Sequence, residues 1–104
     1  MAEVRVASVS EFGARSARRV DADGHRVAVV RIDDAWYAIG DRCSHAEASL
    51  SEGEIEAGAC TIECPKHGAS FALTTGEPRT LPATKPVPVY GVRIEGDDVI
   101  VEVP

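Results

Sequence analysis

Cys43-Ser44-His45 and Cys64-Pro65-Lys66-His67 are the two stretches on which the reading of this chain turns. Each places a thiol and an imidazole on one short segment, and residues 46 to 63 separate them. In Cys-x-His an extended loop points the two flanking side chains roughly the same way. In Cys-x-x-His the internal proline favours a tight turn with the same result, and Gly68 behind it lets the backbone approach closely. Amide N–H groups in such turns can point at bridging sulfides and stabilise their charge. Two groups suit this donor set: a structural zinc ion, or an iron–sulfur cluster with two thiolates on one iron and two imidazoles on the other. Familiar zinc sites use Cys-x₂₋₄-Cys knuckles, whereas each loop here pairs one Cys with one His. The pattern favours the mixed-ligand cluster, and with it one-electron transfer.

Both ligand stretches read as loops. Gly40-Asp41-Arg42 precedes the first, and Pro65 and Gly68 punctuate the second. Around them, period-two alternation dominates. Val4-Arg5-Val6 opens the chain, and Arg26-Val27-Ala28-Val29-Val30-Arg31-Ile32 follows the turn Asp21-Ala22-Asp23-Gly24. Asp33-Asp34 turns into Ala35-Trp36-Tyr37-Ala38-Ile39, a hairpin partner. Near the end, Val87 to Ile94 alternates again, and the Gly96-Asp97-Asp98 turn leads into Val99 to Val103. Phe71 to Glu77 is hairpin-like, and Thr80 to Pro86 is irregular. No long segment keeps a helical period, although residues 10 to 19 suggest a turn of helix. The expected class is all-β.

At 104 residues the chain is expected to be one domain, 1–104, without repeats or linkers. No window approaches the roughly 18 apolar residues needed to span a bilayer. The start, Met1-Ala2-Glu3-Val4-Arg5-Val6, lacks the basic and apolar blocks of a secretion signal. A cytoplasmic protein with reduced thiols and no membrane partner is expected. The formal net charge is −6. Residues 1–42 hold seven basic and seven acidic residues, and residues 43–104 hold four and ten. Nucleic acid is therefore excluded as a partner class, and steering towards a basic patch on a redox partner is the functional expectation for the acidic half.

The third cysteine, Cys60, lies in the strand-like run Ala59 to Glu63 and reads as a small core residue. Trp36 and Tyr37 read as core or half-core. Arg15-Ser16-Ala17-Arg18-Arg19 reads as a solvated face, and His25, beside Gly24, as exposed. Lys66, between two expected ligands, reads as an exposed tip residue and a candidate docking charge.

Cys43-x-His45 with Cys64-Pro65-Lys66-His67-Gly68 resembles the signature of Rieske-type [2Fe-2S] proteins. Ser49-Leu50-Ser51-Glu52-Gly53, Phe71, Thr75-Gly76-Glu77 and Leu81-Pro82-Ala83 fit the same family, so the resemblance runs from about Val27 to Val101. It is nearest to the small Rieske ferredoxins that serve bacterial ring-hydroxylating, non-haem iron dioxygenases. The resemblance implies an antiparallel β-sandwich base, about 1–41 and 86–104, and a small loop-rich cluster-binding subdomain, about 42–85. It implies one [2Fe-2S] cluster, with Cys43 and Cys64 on the buried iron and His45 and His67 on the outer one. The Pro82 loop would cover the cluster's other side.

By the same resemblance the chain is no enzyme in itself. It would carry one electron at a time from a flavoprotein reductase to a terminal oxygenase, through transient protein–protein contacts. An accessory or redox-sensing subunit of a larger complex is the alternative. Departures from the wider family matter too. The extra cysteine pair of the cytochrome-complex Rieske proteins is missing. The positions of their Ser and Tyr hydroxyl donors correspond to Ala69 and Phe71, which donate nothing. Such a site predicts a midpoint at the low end of the about −150 to +300 mV spanned by these centres.

Overall fold

Alternation sorts the side chains of β3 (His25–Ile32) into two separate cores. Val27, Ala28, Val29 and Val30 are all fully buried, which a strand open to water on one face could not achieve. Val27 and Val29 enter one apolar cluster, with Phe12, Ala38, Val99, Val101 and Val103. Ala28 and Val30 enter the other, with Ile39, Leu50, Ile62 and Phe71. The computed structural model describes residues 2–44, 47–66, 68–81 and 85–104.

The remaining strands are β1 (Ala2–Ser8), β2 (Arg15–Ala22), β4 (Ala35–Gly40), β5 (Glu54–Glu56), β6 (Thr61–Glu63), β7 (Ser70–Ala72), β8 (Val89–Glu95) and β9 (Asp98–Val103). Six of the nine make an antiparallel sheet in the order β1-β9-β8-β4-β3-β2, and β5-β6-β7 make a second. The first sheet curls so that β1 comes close to β2. Its concave side holds the Phe12 cluster, and its outer face at β3 and β4 packs on the small sheet. The all-β expectation holds. Among the described residues, no helix is long and apolar enough to cross a membrane.

Two expectations need correction. Residues 10–19 form no helical turn beyond the short 3₁₀ segment Val9–Glu11; from Arg15 onward the chain is β2. Three arginines and small residues show no apolar period, but β2 pairs with β3 along its whole length, from Arg15 opposite Ile32 to Ala22 opposite His25. That ladder satisfies every backbone group the segment presents to β3 and overrides its composition. His25 is not simply exposed. It is half-buried, opens β3 and meets the Tyr90 ring edge-on at 5.7 Å. The arginines of β2 are solvent-facing, as their run implied.

Candidate metal centre

The β6–β7 hairpin builds the second ligand loop. Its ladder pairs Thr61 with Ala72 and Glu63 with Ser70, and one further rung, the Cys64 amide on the Ala69 carbonyl at 2.6 Å, closes the loop. The Gly68 amide returns to the Cys64 carbonyl at 3.0 Å, with Gly68 at φ 73°, a conformation that costs other residues strain. Pro65 and Lys66 project into solvent while Cys64 is 1% exposed. The first loop closes in the same way: the Cys43 amide donates to the Ala48 carbonyl at 3.0 Å, beside an isolated bridge between Arg42 and Ser49. The amides of Cys43, Cys64 and Gly68 thus hold the loops shut, so any N–H aimed at a sulfide must come from elsewhere in the turns.

Cys43 and Cys64 share one apolar cluster with Leu50, Ile62, Ala69 and Phe71. Two soft sulfur donors on neighbouring loops, sealed from water by aliphatic and aromatic side chains, fit the buried half of an iron–sulfur site. Ala69 and Phe71 are both fully buried there and carry no side-chain donor. His45 and His67, the other half of the expected donor set, lie outside the described residues, as do Pro82 and Ala83. Among the described residues no three Cys, His, Asp or Glu side chains gather as a metal site.

A third loop braces these two. The Arg79 amide donates to the Ser70 carbonyl at 2.7 Å, and the Ser70 amide to Thr80 Oγ1 at 2.8 Å. The Ser44 hydroxyl, next to Cys43, donates to the Lys85 carbonyl at 2.6 Å and ties the third loop to the first. The loops after β4, β6 and β7 therefore converge on the two cysteines.

Sequence reasoning missed Asp41, the residue that anchors the first loop. It is fully buried. Its carboxylate accepts from the Ser51 amide at 2.9 Å and from the Ser49 hydroxyl, and Arg26 Nε lies 3.4 Å away. Its carbonyl accepts from the Leu50 amide at 2.6 Å, and its own amide donates to Arg26 at 3.1 Å. One side chain thus clamps both ends of the Cys43 loop to β3. The signal was present as an acid two residues before Cys43, with Ser-x-Ser following at Ser49 and Ser51. Replacing Asp41 with Ala strands the part-buried Ser51 N–H and Ser49 hydroxyl, while the 40% exposed Arg26 guanidinium turns to water. It is expected to lower stability by about 3 kcal/mol, measurable by denaturant unfolding.

Cys60 is half-buried and lies in the turn before β6 rather than within a strand, at φ 55°. Hydrogen bonding towards the Cys60 thiol first, then burial, then the charge of an ionised Cys60, raises the Tyr37 pKa above the ordinary phenol value. A raised phenol contributes stability that is whole below the unfolded value, about pH 10, and is lost as pH rises through the folded one. In a Tyr90→Phe background, ultraviolet titration of the single remaining phenol is expected to show Tyr37 ionising at lower pH once Cys60→Ala is added. An unchanged titration would refute the pairing.

The model of the Rieske [2Fe-2S] domain family matches residues 2–91. The 3-phenylpropionate/cinnamic acid dioxygenase ferredoxin subunit of Shigella boydii serotype 4 (strain Sb227) is 49% identical over 78 residues, which cover 75% of this chain and 73% of the relative. Among solved structures, the ferredoxin of carbazole 1,9a-dioxygenase from Nocardioides aromaticivorans IC177 superposes with a TM-score of 0.92 at 40% identity, covering 97% of each chain. A chain from a complex of reduced oxygenase and oxidised ferredoxin in carbazole 1,9a-dioxygenase gives 0.86 at 38% identity, covering 95% of this chain and 91% of that one.

Proposed function

Because the chain belongs to the Rieske [2Fe-2S] domain family and so carries one [2Fe-2S] cluster, we propose that Cys43, His45, Cys64 and His67 hold that cluster and that the protein relays single electrons from a flavoprotein reductase to a terminal non-haem iron oxygenase. It is an electron-transfer component and not itself a catalyst of substrate conversion. The observation that carries the site assignment is the burial of Cys43 and Cys64 in one apolar cluster, under two loops that each continue to a histidine.

When bound, the cluster supplies a reversible one-electron couple. The chain's own residues set the conditions for it. Leu50, Ile62 and Phe71 exclude water from the sulfur side, and Asp41 and Ser44 hold the first loop in register with the other two. Ala69 and Phe71 offer no hydroxyl to stabilise the extra negative charge of the reduced state, which keeps the potential low. The oxygenase role is supported by the ferredoxin–oxygenase complex of the carbazole system and by relatives named as dioxygenase subunits. A cytoplasmic location is part of the same reading.

The test is direct. Purified protein is expected to be coloured, to give an EPR signal after dithionite, and to titrate with a midpoint below about 0 mV. Added to a reductase–oxygenase pair, it should stimulate turnover. Stable co-purification in one complex, with no stimulation of any pair, would replace the shuttle by an accessory subunit, and a midpoint above zero would refute the argument from Ala69 and Phe71.

A further inference from the structure

Each ligand stretch has a carboxylate just before it, and the fold treats the two differently. Asp41, two residues ahead of Cys43, has Arg26 Nε 3.4 Å away, so a cation offsets its charge. Glu63 adjoins Cys64, and among the described residues its side chain makes no ion pair and no hydrogen bond. Glu63 is half-buried, and its Oε1 lies 3.2 Å from the point where a Cβ on Gly68 would stand. Gly68, at φ 73°, has its amide on the Cys64 carbonyl at 3.0 Å. The carboxylate therefore lies along the bare backbone of the second ligand loop, against the residue that follows His67.

Nothing in the small sheet favours a charge at this position. Glu63 stands directly opposite Glu54 in the β5–β6 ladder, and like charges in facing positions destabilise a strand pair. Its neighbour on the other side, Ser70 of β7, is neutral. Glu54 is exposed and, among the described residues, also makes no ion pair. Lys66, on the same loop, is exposed, so water and salt screen it more than they screen the half-buried Glu63. Reduction brings one electron, and with it one unit of negative charge, to the ligand end. A fixed anion on that loop disfavours the reduced state more than the oxidised one.

We propose that the Glu63 carboxylate sets part of the driving force of electron transfer: its charge lowers the reduction potential of the bound cluster and favours release of the electron over its retention. Glu54, facing it but exposed, acts in the same direction more weakly. The inference rests on the electron-carrier reading and adds a nearby charge to the missing hydroxyl donors at Ala69 and Phe71.

The experiment is a redox titration of holoprotein at fixed pH, with dithionite as the electron donor and the visible spectrum as the readout. Glu63→Gln keeps the length and polarity of the side chain and removes the charge. Two unit charges about 10 Å apart, at an effective dielectric of about 20, shift an equilibrium by roughly tenfold, and the partial exposure of Glu63 reduces this. Glu63→Gln is expected to raise the equilibrium constant for reduction about threefold or more, an upward midpoint shift of about 28 mV at 59 mV per tenfold. Glu63→Asp keeps the charge and is expected to shift the midpoint by less than half as much. Asp97→Asn removes the same unit charge from the β8–β9 turn, about 20 Å along β8 from Val89, which pairs with Ile39 near the first ligand loop. It is expected to leave the midpoint in place. An unchanged midpoint in Glu63→Gln overturns the proposal, as do equal shifts in Glu63→Asp or in Asp97→Asn. Should Glu63→Gln lose its cluster, Glu54→Gln carries the test: a smaller upward shift supports the proposal and none overturns it. Wild-type protein without a cluster spectrum, or one that takes no electron from dithionite, would instead sink the carrier reading itself.

Discussion

Cys64→Ala protein is expected to purify colourless, with iron falling from the two atoms of a [2Fe-2S] centre to none. Cys64 is 1% exposed, its amide is committed to Ala69, and its carbonyl to Gly68. The thiolate therefore sits on a closed turn whose backbone survives the substitution, while the iron loses a ligand that no neighbour can replace. Cys60 is the one other thiol on this hairpin. It lies at the far end of β6, more than about 10 Å along the strand. Cys60→Ala should accordingly keep its colour, and the pair of variants separates a ligand from a packing residue. Loss of the cluster also removes its binding free energy from folding. The apoprotein should melt well below the wild type yet keep its strand signal in circular dichroism, because the Phe12–Val101 core lies within the larger sheet, apart from the cysteines. Full iron in Cys64→Ala would exclude Cys64 as a ligand.

Gly53→Ala should be the most damaging substitution that touches no expected ligand. A Cβ at Gly53 would lie 1.7 Å from the Glu63 carbonyl oxygen, 2.9 Å from its carbon and 3.1 Å from the Leu50 oxygen. All three are backbone atoms, so no side-chain rotation relieves the overlap. The backbone at Gly53, φ −83° and ψ 177°, is open to any residue, and the penalty is purely steric. Relief requires β5 to move off β6 just where Glu54 pairs with Glu63, and Glu63 leads directly into Cys64. The cost is expected to be about 3–5 kcal/mol. At roughly 4–8 °C per kcal/mol for a domain of this size, the melting temperature should fall by more than about 12 °C. Gly58→Ala is the control, because nothing lies within 4 Å of its Cβ position. A fall in Gly53→Ala no larger than in that control would contradict the geometry.

Several elements could be read before any coordinates. Val27 to Val30 form an apolar run between flanking arginines, the aspartate and glycine turns mark the hairpins, and β9 shows Val99, Val101 and Val103 at every second position. Each is a local signal, carried by a period or a turn residue. β2 was not legible, because its pairing with β3 is what makes it a strand and its own residues do not announce one. His25 and Cys60 were misplaced for a related reason. His25 meets the Tyr90 ring and Cys60 packs against the core around Ile62 and Phe71, which come from other elements.

The candidate site divides along the same line. Two Cys-to-His spacings, with the neighbouring motifs that resemble one family, were enough to name the family's [2Fe-2S] cluster and to propose four donors for it, because ligand chemistry is a property of residue types and short loops. The sequence alone also determined the all-β class. Only the tertiary structure decided that Asp41 clamps the first loop, that Ser44 ties it to the third, and that Gly53 must lack a side chain to let Glu63 pass. The physical reason is that packing, pairing and electrostatic potential depend on distance in space, and position along the chain records only the part of that distance that lies within one turn or one strand.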